Sequence, residues 1–243
     1  MDKNIMETIS DNQQTISDNG QSVFDSQQEE TNTETIISNQ KKSKGHIAAA
    51  TIAKLAVLTA LSWILYMFGK FNMPTIFPVF LEMQISDLPA LLGGFAMGPL
   101  WGSLIIVFKC LLKMPFTSTA CVGELADILI GISFVLPAAL IYKRHKTKKG
   151  ALIGIGVGIF SAVFAAMLAN RFVLVPFYIQ LFFDGNFDAL IGMLTPLYAN
   201  INATNFYNIY LWVGVMPFNL LRCVLCGGIT FAVYKSVSRV LHR

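Results

Sequence analysis

Asn170 and Arg171 stand inside one long apolar run of the sequence, and Asn219 and Arg222 inside another. An ionisable group at the middle of a membrane helix costs about 2.5–3.5 kcal/mol on insertion scales, so it faces a cavity or a partner rather than lipid. Asn219 and Arg222 are three residues apart and share a helix face. Together they present an amide and a guanidinium fork, a suitable edge for a planar heterocycle. An internal salt bridge or interhelical hydrogen bond would use Arg222 equally well, and Arg171 fits an acid or the membrane interface better than a ligand. Further charges flank the apolar segments: Glu82 and Asp87 before one, Glu124 and Asp127 opening another, Lys109 and Lys113 near the end of a third. Glu124 and Asp127 read mainly as first-turn carboxylates, stabilised by the helix dipole and free N–H groups. At the start of a helix they are too shallow for the proton relay of an ion-coupled carrier.

The chemistry of enzymes is missing. There is no GxxxxGK[ST] phosphate loop, no HExxH and no GxSxG, so neither catalysis nor ATP binding of those kinds is expected. The histidines, His46, His145 and His242, fall in segments expected to be cytoplasmic. Cys223 and Cys226 form a CxxC, but no second pair or neighbouring histidine completes a zinc site. With Cys110 and Cys121 they lie in apolar surroundings and read as small packing residues. No metal or cofactor is expected.

The elements that position these residues are membrane helices. Of 243 residues, 54% are hydrophobic and 13% charged, against roughly 25% charged in soluble domains. Residues 1–40 differ: rich in Gln, Asn, Ser and Thr, with eight acids and one base, they read as a disordered cytoplasmic tail. Setting those aside from the chain's 14 acids and 18 bases leaves 6 and 17, about +11 over residues 41–243. These charges gather at helix ends rather than on one face, which argues against nucleic acid as a partner. No basic-then-apolar secretory start opens the chain, so the N-terminus is expected to remain cytoplasmic.

Basic clusters set the topology: Lys41, Lys42 and Lys44; Lys143, Arg144, Lys146, Lys148 and Lys149; and Lys235, Arg239 and Arg243. If all are cytoplasmic, an even number of crossings separates each pair. Parity is met by splitting residues 88–112 at Gly98-Pro99, a strong helix breaker. The expectation is an all-α, six-transmembrane-helix bundle over residues 41–243, with both termini cytoplasmic. Its spans fall near 47–68, 87–98, 99–114, 124–142, 151–176 and 207–234. The second helix is short, about 16 Å by helical rise. Residues 71–89, apolar and carrying three prolines, would lie outside as a lid or an interfacial anchor. Small residues at four-residue spacing let helices approach: Gly98 with Gly102, Gly150 with Gly154 and Gly158, Ala49 with Ala53, and Ala56 with Ala60.

The runs LPALLGGFAMGPLWG (88–102), TSTACVGELADILIG (117–131), FVLPAALIYKRHK (134–146), NRFVLVPFY (170–178) and PFNLLR (217–222) resemble the riboflavin-specific substrate-binding component, RibU type, of energy-coupling factor (ECF) importers. The resemblance covers roughly residues 50–235. It implies a multi-pass protein of the bacterial plasma membrane that captures riboflavin outside the cell. The vitamin would pass inward through a transmembrane coupling subunit driven by two ATPases, as substrate and not as cofactor. By the same resemblance Asn170 and Asn219 would be flavin-ring ligands, and Arg222 stands where the family commonly has lysine. Arg171 stands where an aromatic residue is expected. Leu81, Glu82 and Met83 correspond to first-loop contacts, and Ala49, Ala53, Ala56 and Ala60 to the surface that docks on the coupling subunit. A component for another vitamin (folate or thiamine) and a stand-alone ion-coupled carrier are the alternatives.

Overall fold

The chain breaks where glycine and proline meet. Helix α2 (Leu88–Met97) ends at Gly98, whose φ of 110° lies in the region that favours glycine, and Pro99 opens α3 (Pro99–Lys113). At the first helical position proline's missing N–H leaves nothing unsatisfied. The two helices return against each other at Gly102, where a Cβ would sit 2.7 Å from Gly94 Cα.

The computed structural model describes residues 49–78, 81–117 and 119–241. The acidic tail of residues 1–40 and the cluster Lys41, Lys42 and Lys44 lie outside them. Contacts divide the chain into Met1–Ile52 and Ala53–Arg243. Of the first unit only residues 49–52 are described, one turn of helix, and the site is built from the second. Five helical segments are long and apolar enough to cross a bilayer: α1 (Ala49–Phe68), α3 with the 3₁₀ turn that follows it (to Phe116), α4 (Val122–Arg144), Lys148–Phe182 and Phe206–Val233. α2 is shorter. The protein is therefore a mostly helical, multi-pass membrane protein. The one strand pair among the described residues, absent from the all-α expectation, joins β1 (Lys70–Phe71) antiparallel to β2 (Met83–Gln84) and folds the apolar loop back on itself.

The fifth expected span does not stop near Pro176. α5 (Lys148–Ala169) passes through a π-turn (Asn170–Leu174) into α6 (Val175–Phe182), 35 residues without interruption. The wide turn closes with Val175 N–H donating to Asn170 O, five residues back, and Pro176 follows at once. A locally widened turn relieves the clash that proline's ring makes with the preceding turn, so the helix continues. The same device recurs in the last segment, where α8 (Phe206–Ile209) and a π-turn (Tyr210–Val215) precede α9 (Met216–Leu241) and Pro217. At 1.5 Å per residue the α5–α6 helix is about 52 Å long, well beyond the ~30 Å hydrocarbon core. After it, residues expected as an outward loop or an interfacial helix form α7 (Phe187–Leu194), capped by Asn186 and burying Leu190 and Leu194.

α4 packs on both α3 and α5. Cβ atoms at Gly154 and Gly158 would meet Ala138 O at 2.6 Å and Phe134 O at 2.5 Å, so the glycine stripe of α5 is spent on α4, inside the chain. α1 differs. It buries Leu58, Thr59, Ser62 and Tyr66, while Ala53, Ala56 and Ala60 are exposed, as is Ala49 in the first unit.

Candidate functional site

At the end of the bundle opposite the exposed Lys143–Lys149 turn, α4, α6, α7, α8 and α9 enclose a cavity of about 410 Å³. This is within the roughly 300–1,000 Å³ of small-molecule sites. Its two walls differ in kind. One is polar: Tyr66, Gln84, Lys113, Thr119, Glu124, Asp127 and Arg222. The other is apolar and aromatic, made of Leu174, Val175, Tyr178 and Phe182 from the overlong helix, Leu190 and Leu194 from α7, and Phe206 and Tyr210. Ring contacts fix that second wall: Phe206 stacks on Tyr210 at 5.4 Å and meets Phe187 edge-on at 4.9 Å.

The polar wall is one surface of a buried charge network. Arg222 reaches Asp127 with Nη1 at 2.7 Å and Asp87 with Nη2 at 2.9 Å. Asp87 also binds Lys109, and Lys109 Nζ donates to Ser86 Oγ at 2.6 Å. Gln84 Nε2 donates to Asp127 at 2.6 Å, and Ser86 Oγ donates to Gln84 Oε1 at 2.8 Å. Ser62 of α1 donates to Ser86 O. Lys109 and Lys113 both lie over the Tyr66 ring, at 5.2 and 5.4 Å. Three cations thus offset three carboxylates, counting the Lys113–Glu124 pair at 3.3 Å. In a low-dielectric interior an unmatched member would be costly, whereas a matched, hydrogen-bonded set is tolerated. The network also straps the segment Gln84–Asp87 onto α1, α3, α4 and α9.

Glu124 and Asp127 are therefore not simple first-turn carboxylates. Glu124 accepts from Thr117 Oγ1 at 2.8 Å and Thr119 Oγ1 at 3.3 Å as well as from Lys113. Asp127 is buried in α4, deeper than its place in the sequence suggested, but both of its oxygens are engaged. The argument against a proton relay consequently rests on pairing and not on depth.

Of the residues singled out in the sequence, Asn170, Asn219, Arg222, Leu81 and Glu82 all line the cavity. Met83 does not; fully buried, it packs with Phe77 and Phe218 beneath the loop. Arg171 is exposed and lies over the Tyr207 ring at 4.6 Å, away from the cavity. The π-turns aim the two amides. Asn170 Nδ2 donates to Ala166 O at 2.8 Å while its Oδ1 accepts from Tyr210 OH at 2.8 Å. Asn219 Nδ2 donates to Val215 O at 2.9 Å. Arg222, 3% exposed, keeps one donor in reserve: its Nε has no partner among the described residues. An unpaired buried N–H costs about 1–3 kcal/mol.

Sequence reasoning passed over Gln84, Ser86, Tyr66, Tyr178 and Tyr210. Lys109 and Asp87 were visible in the sequence as charges flanking apolar segments. Which acid meets which base is set by contacts 11 to 135 residues apart in the chain.

A cavity between membrane helices with an aromatic wall and a charge-balanced polar wall is a small-molecule binding site of the bilayer. The chain belongs to the family described as ECF transporter, substrate-specific component, whose model matches residues 50–234; these are transport components and not enzymes. It is 29% identical over 189 residues to the riboflavin transporter RibU of Staphylococcus aureus (strain TCH60), covering 78% of this chain and 90% of that protein. It is 27% identical over 131 residues to the riboflavin transporter FmnP of Bacillus subtilis (strain 168), covering 52% and 69%. Among solved structures, one titled "Structure and mechanism of the S component of a bacterial ECF transporter" superposes with a TM-score of 0.61 at 26% identity. It covers 79% of this chain and 98% of the other.

Proposed function

We propose that this protein captures riboflavin in the two-walled cavity and delivers it to the transmembrane subunit and paired ATPases of an ECF importer. The observation that carries the proposal is the division of the cavity. A flavin has a flat aromatic ring system and a flexible polyol, and the walls offer stacked aromatic side chains on one side and a hydrogen-bonding network on the other. Asn170 and Asn219 supply amide edges for the ring's carbonyl and N–H groups. Leu81 and Glu82 would close over the ligand. Met83 would act through them, by anchoring the loop on Phe218. Both relatives named above are riboflavin transporters.

The chain crosses the plasma membrane of its cell six times, α2 being the short second crossing, with both ends in the cytoplasm. Supporting this are the exposed basic turn at 143–149 and the positive-inside rule. Asn170 lies 22 residues, about 33 Å of helix, from Lys148, which supports a cavity open to the outer face. The exposed alanines of α1, Ala49, Ala53, Ala56 and Ala60, form the docking stripe for the coupling subunit, consistent with the glycine stripe of α5 being covered within the chain.

Titration of the detergent-solubilised full chain with riboflavin should quench flavin fluorescence with one-to-one stoichiometry. Asn219→Ala should weaken binding by about 1–3 kcal/mol, roughly 5- to 150-fold. Unquenched flavin over a protein still folded would overturn the proposal, and undiminished affinity in the variant would remove Asn219 from the site.

A further inference from the structure

At the end of the bundle away from the cavity, five basic residues have no acid to meet. Every residue from Lys143 to Lys149 is exposed. Lys143, Arg144, Lys146, Lys148 and Lys149 enter no ion pair among the described residues. Residues 41–243 hold six acids, and all six are committed to the other end. Glu82, Glu124 and Asp127 line the cavity, and Asp87 shares Arg222 with Asp127. Asp184 and Asp188 flank the start of α7, which closes the cavity. Asp127, the nearest acid along α4, lies 17 residues (127 to 144), about 26 Å of helix, from Arg144. That is about three Debye lengths at physiological salt, so the cluster is not offset from within residues 53–243. The backbone does not offset it either. Lys148 and Lys149 occupy the first turn of α5, where the helix dipole disfavours cations.

The surfaces that lead into this turn are apolar and exposed. Leu140 on α4 and Leu152 and Ile153 on α5 are 44%, 57% and 59% exposed, in helices that cross the bilayer. One helical step of three residues, about 5 Å, separates Leu140 from Lys143 and Lys149 from Leu152. The charges therefore begin where the lipid-facing surface ends, at the depth of the headgroups, and the long stems of Lys and Arg extend into that layer.

We infer that the Lys143–Lys149 turn is a binding surface for anionic phospholipid, holding the headgroup phosphodiesters of the leaflet it meets. The inference is independent of the riboflavin reading and of which side of the membrane the turn faces. Each Lys or Arg at such a surface strengthens binding roughly fivefold. Lipid is favoured over a soluble acidic chain because the apolar residues on both sides already hold the turn against the bilayer.

The test uses the full chain in detergent at physiological ionic strength, with bound lipid counted by native mass spectrometry. Phosphatidylglycerol should bind at least roughly tenfold more tightly than zwitterionic phosphatidylcholine. In Lys146→Gln/Lys148→Gln/Lys149→Gln that preference should fall at least roughly fivefold, whereas Lys146→Arg/Lys148→Arg/Lys149→Arg should keep it. Two soluble competitors separate the sources of negative charge: glycerophosphoglycerol, the same headgroup without acyl chains, and poly-L-glutamate, a stand-in for an acidic protein. Neither should displace phosphatidylglycerol at equal charge. A smaller preference in the unaltered chain, a smaller fall in the folded Gln variant, or an Arg variant that loses the preference would each overturn the inference. Displacement by either soluble anion would overturn it as well, in favour of a free phosphodiester or an acidic protein. If the Gln variant does not fold, the two lipids and two competitors on the unaltered chain decide the matter.

Discussion

Arg222→Met tests the charge balance beneath the cavity. The guanidinium is 4% exposed and joins Asp127 at 2.7 Å to Asp87 at 2.9 Å; those acids are 10% and 2% exposed. Without it Asp87 retains Lys109, while Asp127 retains only neutral partners, the Gln84 amide and the Tyr66 hydroxyl. One carboxylate is left buried and uncompensated, a loss measured in comparable sites at about 3–5 kcal/mol. For a chain of this length each kcal/mol shifts a melting midpoint by about 2–4 °C, so the variant should melt about 6–20 °C lower. The double variant Arg222→Met/Asp127→Asn removes the orphaned charge together with its partner and should recover at least half of that loss. The protein carries its own reporter, since Cys110, Cys223 and Cys226 are free and buried. A thiol-reactive dye added after Cys121 has been blocked will therefore follow unfolding. A fall of less than about 3 °C in the single variant, or a double variant that melts with the single one, would refute the reasoning.

Three other perturbations follow from particular contacts. Tyr210→Phe removes the hydroxyl that holds Asn170 Oδ1 at 2.8 Å; riboflavin affinity should fall by about 1 kcal/mol, roughly fivefold, in a fluorescence titration. Gly154→Val places side-chain atoms where a Cβ alone would already be 2.6 Å from Ala138 O, so α5 must move off α4. An overpacking loss of about 1–3 kcal/mol should appear in the thiol melt. Ala56→Trp adds bulk to an exposed face of α1 and should leave flavin binding by the isolated chain intact. Transport in cells carrying the partner subunits should be lost, and normal transport would move the docking surface elsewhere.

Much of the architecture could be read from residue order because its causes are local. A hydrocarbon core of fixed thickness demands long apolar helices, and these show as runs of apolar residues wherever they occur. Gly98-Pro99 breaks a helix whatever surrounds it, and the structure breaks there. Proline alone was a poorer guide. Pro176 and Pro217 stop neither helix, because a π-turn ahead of each absorbs the distortion. Nothing in the local sequence announces a π-turn, which survives only when packing on both sides holds it. The strand pair in the loop was equally hidden, since two residues a side leave no pattern to detect.

The polar residues divide along the same line. Sequence alone indicated that Asn170, Asn219 and Arg222, inside apolar runs, would not face lipid, because the cost of an exposed charge or amide there is a property of the bilayer and independent of fold. Tertiary structure alone decided what they face instead. Arg222 spends its two terminal nitrogens on acids from two different segments. Glu124 holds a lysine and is not merely a helix cap, and Arg171 turns outward onto Tyr207. Coulomb attraction and hydrogen bonding act over a few ångströms, and only the packed helices bring residues as far apart as Asp87 and Arg222 within that range.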